Sequence, residues 1–329
     1  MDWCFIEMPC GGKRCRMSAL NRGFRYQKCL GSDAAGLQAI EYLTRHFPAF
    51  TEEEWLARIG SGRVLLDGIP LLEQQILRPG QLLCWIRPPW EEPDVPRSFA
   101  ILYQDDHVVA VAKPCGLPTL PGGGCFMENT LLSLVRRRFP GANPLHRLGR
   151  GTSGIVLFAI KQEAAGKILQ AWRHSKILKI YRTLVDGFPA ADEFSVDVSI
   201  GPVPHPLLKT IHAASSAGKS AHSDIRVLER RNSESLLEIR IATGRPHQIR
   251  IHLAAAGYPL TGDPLYAAGG IPHANSSALP SDLGYHLHNS VLGFPHPADG
   301  RWIEITCAAP PPLRSRHEMK NATEPPSNI

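Results

Sequence analysis

The sequence lacks any pair of cysteines spaced for a metal. Its eight cysteines, Cys4, Cys10, Cys15, Cys29, Cys84, Cys115, Cys125 and Cys307, form no CxxC pair, and Cys84 sits inside the apolar run QLLCWI. Zinc sites are built from closely spaced ligands, so these read as free thiols of a reducing compartment, and no metal is expected. There is no run of about 18 apolar residues, which leaves no candidate for a membrane-spanning helix. The glycine-rich turn HRLGRGTSG does not end in GK[ST], so it is not a P-loop. No fixed-period repeat is present. The first 30 residues carry Lys13, Arg14, Arg16, Arg22, Arg25 and Lys28 but also Asp2 and Glu7, with little serine. That composition argues against an organellar transit peptide. Secretion is not expected, and location stays open between the cytosol and a chloroplast or mitochondrion.

What is present is ordinary globular composition, 43% hydrophobic and 20% charged over 329 residues. The net charge of +6 (36 basic against 30 acidic residues) leans only slightly toward a polyanionic partner. Residues 1–36 read as a basic, poorly ordered tail. In 37–87, Leu37, Ile40, Leu43 and Phe47 have helical spacing. TEEEW then opens a second helix, with Thr51 as N-cap and Glu54 at the capping-box position. Asp67-Gly68 marks a hairpin, because both turn positions tolerate positive φ. The proline-rich RPPWEEPDVPRS gives a linker over 88–97. A larger domain fills 98–310, and the polar, proline-rich 311–329 reads as a disordered tail. Strands alternate with helices in the large domain, which points to an α+β fold with a mainly antiparallel sheet.

Three stretches could carry chemistry. In GRPHQIRIHLAAAG a helix is predicted over about Pro246 to Ala256, with Gly257 beyond its end. Arg245, His247, Gln248, Arg250 and His252 crowd its start, a pattern that suits a phosphate or carboxylate, or else a solvated basic helix end. His247 and His252 are five apart and so do not share a helix face as a zinc-binding i,i+4 pair would. In LKIYRTLVDG, Lys179 and Tyr181 share a strand face. In HRLGRGTSG, Arg147 and Arg150 flank Gly149, and the glycines permit close backbone approach to a ligand. Thr152 and Ser153 lack an evident His-Asp relay and read as turn hydroxyls.

Taken in order, ILYQDDHVVAVAKPCGLPTLPG, HRLGRGTSGIVLFAI, LKIYRTLVDG and TGRPHQIRIHLAAAGYPLTGDPLY resemble the successive motifs of the RluA-type pseudouridine synthases. The N-terminal segment, through ARIGSGRVLLDG and LRPGQ, resembles the S-four-like RNA-binding domain, with Glu52, Glu53 and Glu54 where a basic face is expected. Arg45, His46, Arg58 and Arg63 could supply that face. The resemblance implies a pseudouridine synthase fold, α+β with a mainly antiparallel mixed sheet and flanking helices, preceded by the small α+β module. It implies isomerisation of a flipped uridine in RNA, ribosomal or transfer RNA foremost, by a monomer without cofactor.

By the same matching, Tyr181 is the tyrosine that stacks on the base and Arg250 the arginine that holds the family's aspartate. His146, Arg147, Arg150, Thr152, Lys179, Arg245, His247 and Gln248 are implied around the uridine. The aspartate position itself is Gly149, which can be neither nucleophile nor base. The resemblance then leaves Arg250 without its ion-pair partner. Asp105, Asp106, Asp186 and Asp263 are not obvious replacements. Two readings stay open on these grounds: a synthase whose carboxylate comes from elsewhere, and a non-catalytic RNA-binding protein on a synthase scaffold. An enzyme acting on a small nucleoside is a more distant third.

Overall fold

The structure is a computed structural model that describes residues 20–47, 50–122, 124–274 and 276–321. The chain divides into two units, one reaching to Asp94 and including Leu120–Thr130, the other formed by Val95–Thr119 and the chain from Leu131 onward.

In the first unit, helices Ala39–His46 and Glu52–Gly60 cover one face of a four-stranded sheet. The strands lie in the order Phe24–Cys29, Leu82–Arg87, Val64–Leu66, Ile69–Pro70. The Thr51 capping box forms as predicted. Asp67 and Gly68 both take positive φ, 51° and 86°. The core is aromatic, with Phe50, Trp55 and Trp85 meeting edge to face.

Two boundaries expected from sequence are corrected here. The expected tail contributes the strand Phe24–Cys29, fully paired with Leu82–Arg87, and Tyr26 stacks on Trp85 at 5.2 Å. Arg22, Arg25 and Lys28 mask that strand's alternation in the sequence. Residues 1–19 lie outside the described set. Part of the expected linker is likewise fixed, since the Glu92 carboxylate is buried and accepts from Asn21 Nδ2, Glu128 N and Asn129 N.

The second unit is built on a ten-stranded sheet, and its main path runs Glu193–Val196, Ser223–Arg230, Glu234–Ile241, Leu178–Asp186, Leu287–Pro295, Thr152–Ala159, Val108–Lys113, Ala100–Gln104. Every pairing in it is antiparallel except one, between Thr152–Ala159 and Leu287–Pro295, in the register Thr152↔Leu287, Ser153↔His288, Gly154↔Asn289. The α+β, mainly antiparallel expectation therefore holds. Helix Gln162–Arg173 packs on one face through Ala164, Ile168 and Ala171 against Ile155, Leu157, Leu292 and Phe294.

Helix Gln248–Ala255 is two residues shorter at its start than predicted, because His247 takes a left-handed conformation (φ 55°) and serves as its N-cap. It is buried from Gln248 to Ala254, so a solvated basic end is ruled out. Gln248 explains the tight entry: its Oε1 accepts from the Thr243 hydroxyl and the Arg245 N–H, at 2.7 and 3.0 Å. The C-terminal stretch is also more ordered than expected over its described part. Leu313 is buried, and Arg316–Asn321 is a helix whose Glu318 takes both oxygens to Arg182 Nη1 at 2.8 and 2.9 Å. Residues 322–329 fall outside the description.

The parallel pairing tolerates no side chain at Gly154. Its φ is 110°, and a Cβ there would stand 2.2 Å from the Asn289 carbonyl oxygen and 2.6 Å from its nitrogen. Gly154→Ala should destabilise the second unit by about 2–4 kcal/mol through strain and overpacking, read as a shifted urea midpoint. An unchanged midpoint would contradict the pairing.

Candidate active site

The two parallel strands enter the sheet from the same end, so the residues just before them lie side by side. One is the turn Arg147–Gly151, and the other is the loop carrying Tyr285. Around them lies a cavity of about 310 Å³. Of the residues singled out from sequence, His146, Arg147, Gly149, Thr152, Lys179, Tyr181, Arg245, His247, Gln248 and Arg250 all line it. Arg150 does not. Its Nε turns to the Gly116 carbonyl at 3.3 Å, on the other side of the turn. Trp172 and Tyr285 also line the cavity and were missed. Trp172 sits on an amphipathic helix, where an aromatic reads as core. Tyr285 lies in DLGYHLH, a stretch with no periodicity.

Four cations, Arg147, Lys179, Arg245 and Arg250, reach this wall, and no carboxylate is among the described residues that line it. The expected loss of Arg250's ion-pair partner is nonetheless corrected. Arg250 Nε and Nη2 donate to the two oxygens of Asp263 at 2.6 and 2.7 Å, and Nη1 donates to the Pro280 carbonyl at 3.0 Å. Both side chains are almost fully buried, at 2% and 1% exposure. Asp263 also accepts from the Leu265 and Tyr266 N–H groups. It is a structural anchor for the arginine and does not face the cavity as a free base.

Tyrosine rings flank the guanidinium, with Tyr285 at 4.3 Å and Tyr266 at 5.0 Å. The backbone explains this arrangement. Gly262 and Gly284, which precede Asp263 and Tyr285, approach so closely that a Cβ on Gly262 would stand 2.4 Å from the Gly284 oxygen. Only glycine permits that contact, with φ of 75° and 138°.

The remaining groups are tuned by burial. His146 Nε2 accepts from the Leu157 N–H at 3.1 Å, and burial lowers the imidazole to about 3, so it stays neutral. His247 is lowered to about 3 by burial and then by Arg250. Its Nδ1 lies 2.7 Å from the Tyr266 hydroxyl, which itself donates to the His212 carbonyl, so the imidazole nitrogen carries the proton. Burial raises the Tyr181 phenol, which therefore presents a neutral ring. Lys179 donates to the Ala242 and Thr243 carbonyls and is lowered by burial to about 8.

A pocket with neutral aromatic faces and a cationic wall suits a base and its phosphates. The sequence profile of the RNA pseudouridylate synthase family matches residues 107–255, which include the turn, Lys179, Tyr181 and Arg250. An uncharacterized RNA pseudouridine synthase of Synechocystis is 40% identical over 276 residues, 83% of this chain and 94% of that protein. The chain belongs to the RluA-type RNA pseudouridine synthases.

RNA pseudouridine synthase 5 of Arabidopsis thaliana is 35% identical across 91% of this chain and 96% of its own length. Ribosomal large subunit pseudouridine synthase D of Pseudomonas aeruginosa is 32% identical across 82% and 87%. In fold, the chain is similar to human RNA pseudouridylate synthase domain containing 1, with a TM-score of 0.54 at 22% identity over 72% of this chain and all of that one. Within this synthase, no group of described residues could hold a metal ion, and no described helix is long and apolar enough to cross a membrane.

Two outcomes follow. Asp263→Ala strands a buried arginine and should cost about 3–5 kcal/mol in a urea unfolding titration. A small change would mean that Arg250 finds water in its place. Lys179 is charged below about 8 and neutral above it. RNA binding should therefore lose about one unit of salt slope between pH 7 and 9.5, and Lys179→Arg should keep it. Equal loss in both proteins would place the titrating group elsewhere.

Proposed function

We propose that this RNA pseudouridine synthase takes a uridine flipped out of structured RNA, ribosomal or transfer RNA, and seats its base beside Tyr181 without a cofactor. The observation that carries this reading is the convergence of residues from three distant stretches, Arg147, Lys179, Tyr181 and Arg250, on one cavity. Flipping costs a few kcal/mol, least where the base is already unstacked, so loops and bulges are the expected targets. Isomerisation breaks the bond from the sugar C1′ to N1, turns the base and joins C1′ to C5. The C5 proton leaves and N1 gains one.

The first unit is proposed to serve as an S-four-like RNA-binding module. Its two helices and hairpin support that reading, and Arg45, Arg58 and Arg63 give it cations. We assign the protein as a monomer on the same resemblance.

A second reading has its own support: a scaffold that binds RNA without isomerising it. It is favoured by the absence of any carboxylate among the described cavity residues and by the engagement of Asp263 with Arg250. A side chain at Gly149 would fit, since its Cβ would meet only Thr152 Oγ1 and the Tyr285 hydroxyl, each at 3.6 Å.

Tritium release from transcripts labelled at uridine C5 separates the two. Release by the natural protein that is lost in Tyr181→Phe is the expected outcome of the synthase reading. Release from Gly149→Asp alone would establish the scaffold reading.

A further inference from the structure

The space that a side chain at position 149 would enter is not empty of chemistry. Its Cβ would lie 3.6 Å from both the Tyr285 hydroxyl and Thr152 Oγ1, so two hydroxyls face the same point. Tyr285 is held there from three directions. The Arg250 guanidinium carbon lies over its ring, 4.3 Å from the centroid. It presses on Gly151, where a Cβ would stand 2.9–3.1 Å from three of its atoms. Behind it, the Gly262–Gly284 contact fixes its backbone. The phenol is thus locked at the mouth of the turn, on the cavity surface, 3% exposed.

Gly149 and Gly151 fit this tyrosine as a set. A Cβ on Gly151 would strike its ring, and Gly149 leaves its hydroxyl in reach of the cavity. The two hydroxyls can each donate and accept, as a sugar hydroxyl can. Burial keeps the phenol protonated, so the pair supplies hydrogen bonds where a carboxylate would supply negative charge. Beside a uridine whose base faces Tyr181, the group that needs such partners is the ribose 2′-hydroxyl, the feature by which a protein tells RNA from DNA.

We propose that Tyr285, beside Thr152, is the sugar-facing residue of this site and selects a ribonucleotide through its 2′-hydroxyl. This rests on the cavity being the uridine site. Within that reading, Tyr285 is a specificity-determining residue, and Arg250 with Asp263 positions it.

The test compares the affinity of the full chain for a short oligouridylate with that for the matching oligo-2′-deoxyuridylate, by fluorescence anisotropy, in the natural protein, Tyr285→Phe and Thr152→Val. Phenylalanine keeps the ring on Arg250 and against Gly151, so the fold should survive, and an unchanged melting curve would verify that it does. The ratio of the two affinities should fall by about three- to tenfold in Tyr285→Phe, the worth of one hydrogen bond, and less in Thr152→Val. Contacts elsewhere along the strand cancel in that comparison. An unchanged ratio in Tyr285→Phe, or no preference in the natural protein, overturns the proposal. If neither oligonucleotide binds, or if Tyr181→Ala and Arg147→Ala leave oligouridylate affinity intact, the reading of the cavity as a uridine site fails, and the proposal with it.

Discussion

One parallel strand pairing inside an otherwise antiparallel sheet organises this molecule. Antiparallel neighbours send their ends in opposite directions, whereas parallel neighbours bring two chain entries to one edge. Here those entries are the turn before Thr152 and the loop before Leu287. Two walls of the cavity meet at that edge, Gly149 before one strand and Tyr285 before the other. Tyr181 arrives from the neighbouring antiparallel strand, opposite Asn289. The pairing is possible only because Gly154 lets the Asn289 backbone come within contact of its own.

A buried ion pair then fixes what the sheet has assembled. Breaking a charge pair this deep is expensive, because the survivor stays desolvated. Arg250 gives its Nε and Nη2 to Asp263 and its Nη1 to Pro280, so its charge is already partnered. The surroundings of Gly149 match it: the arginine is partnered, Gly151 admits a ring, and the Tyr285 hydroxyl stands beside the open position. The wall that remains is cationic and aromatic, a character that suits a base and its phosphates.

How much of this was legible beforehand depends on range. The capping box at Thr51, the Asp67-Gly68 turn and the strand face shared by Lys179 and Tyr181 are local, set by hydrogen bonds and periodicity within a few residues, and the sequence is enough for them. The strand Phe24–Cys29 escaped because its charges blur the alternation, and it is stabilised by a partner almost sixty residues away. Arg150 was misjudged for a related reason. Two arginines flanking one glycine look equivalent in a string, but the turn sends one into the cavity and the other to Gly116.

By itself, then, the sequence determined the family, the order of the motifs, the tyrosine and the cations of the site, and the glycine where an aspartate would be looked for. It could not determine what that glycine means. Arg250 and Asp263 are thirteen residues apart, across the end of a helix and a turn, and no periodicity links them. Tyr285 is more than a hundred residues from Gly149. Only the tertiary structure decides that the arginine is paired and that a phenol borders the space, because both follow from close backbone contacts between distant glycines, and a sequence records the glycines without saying which of them meet.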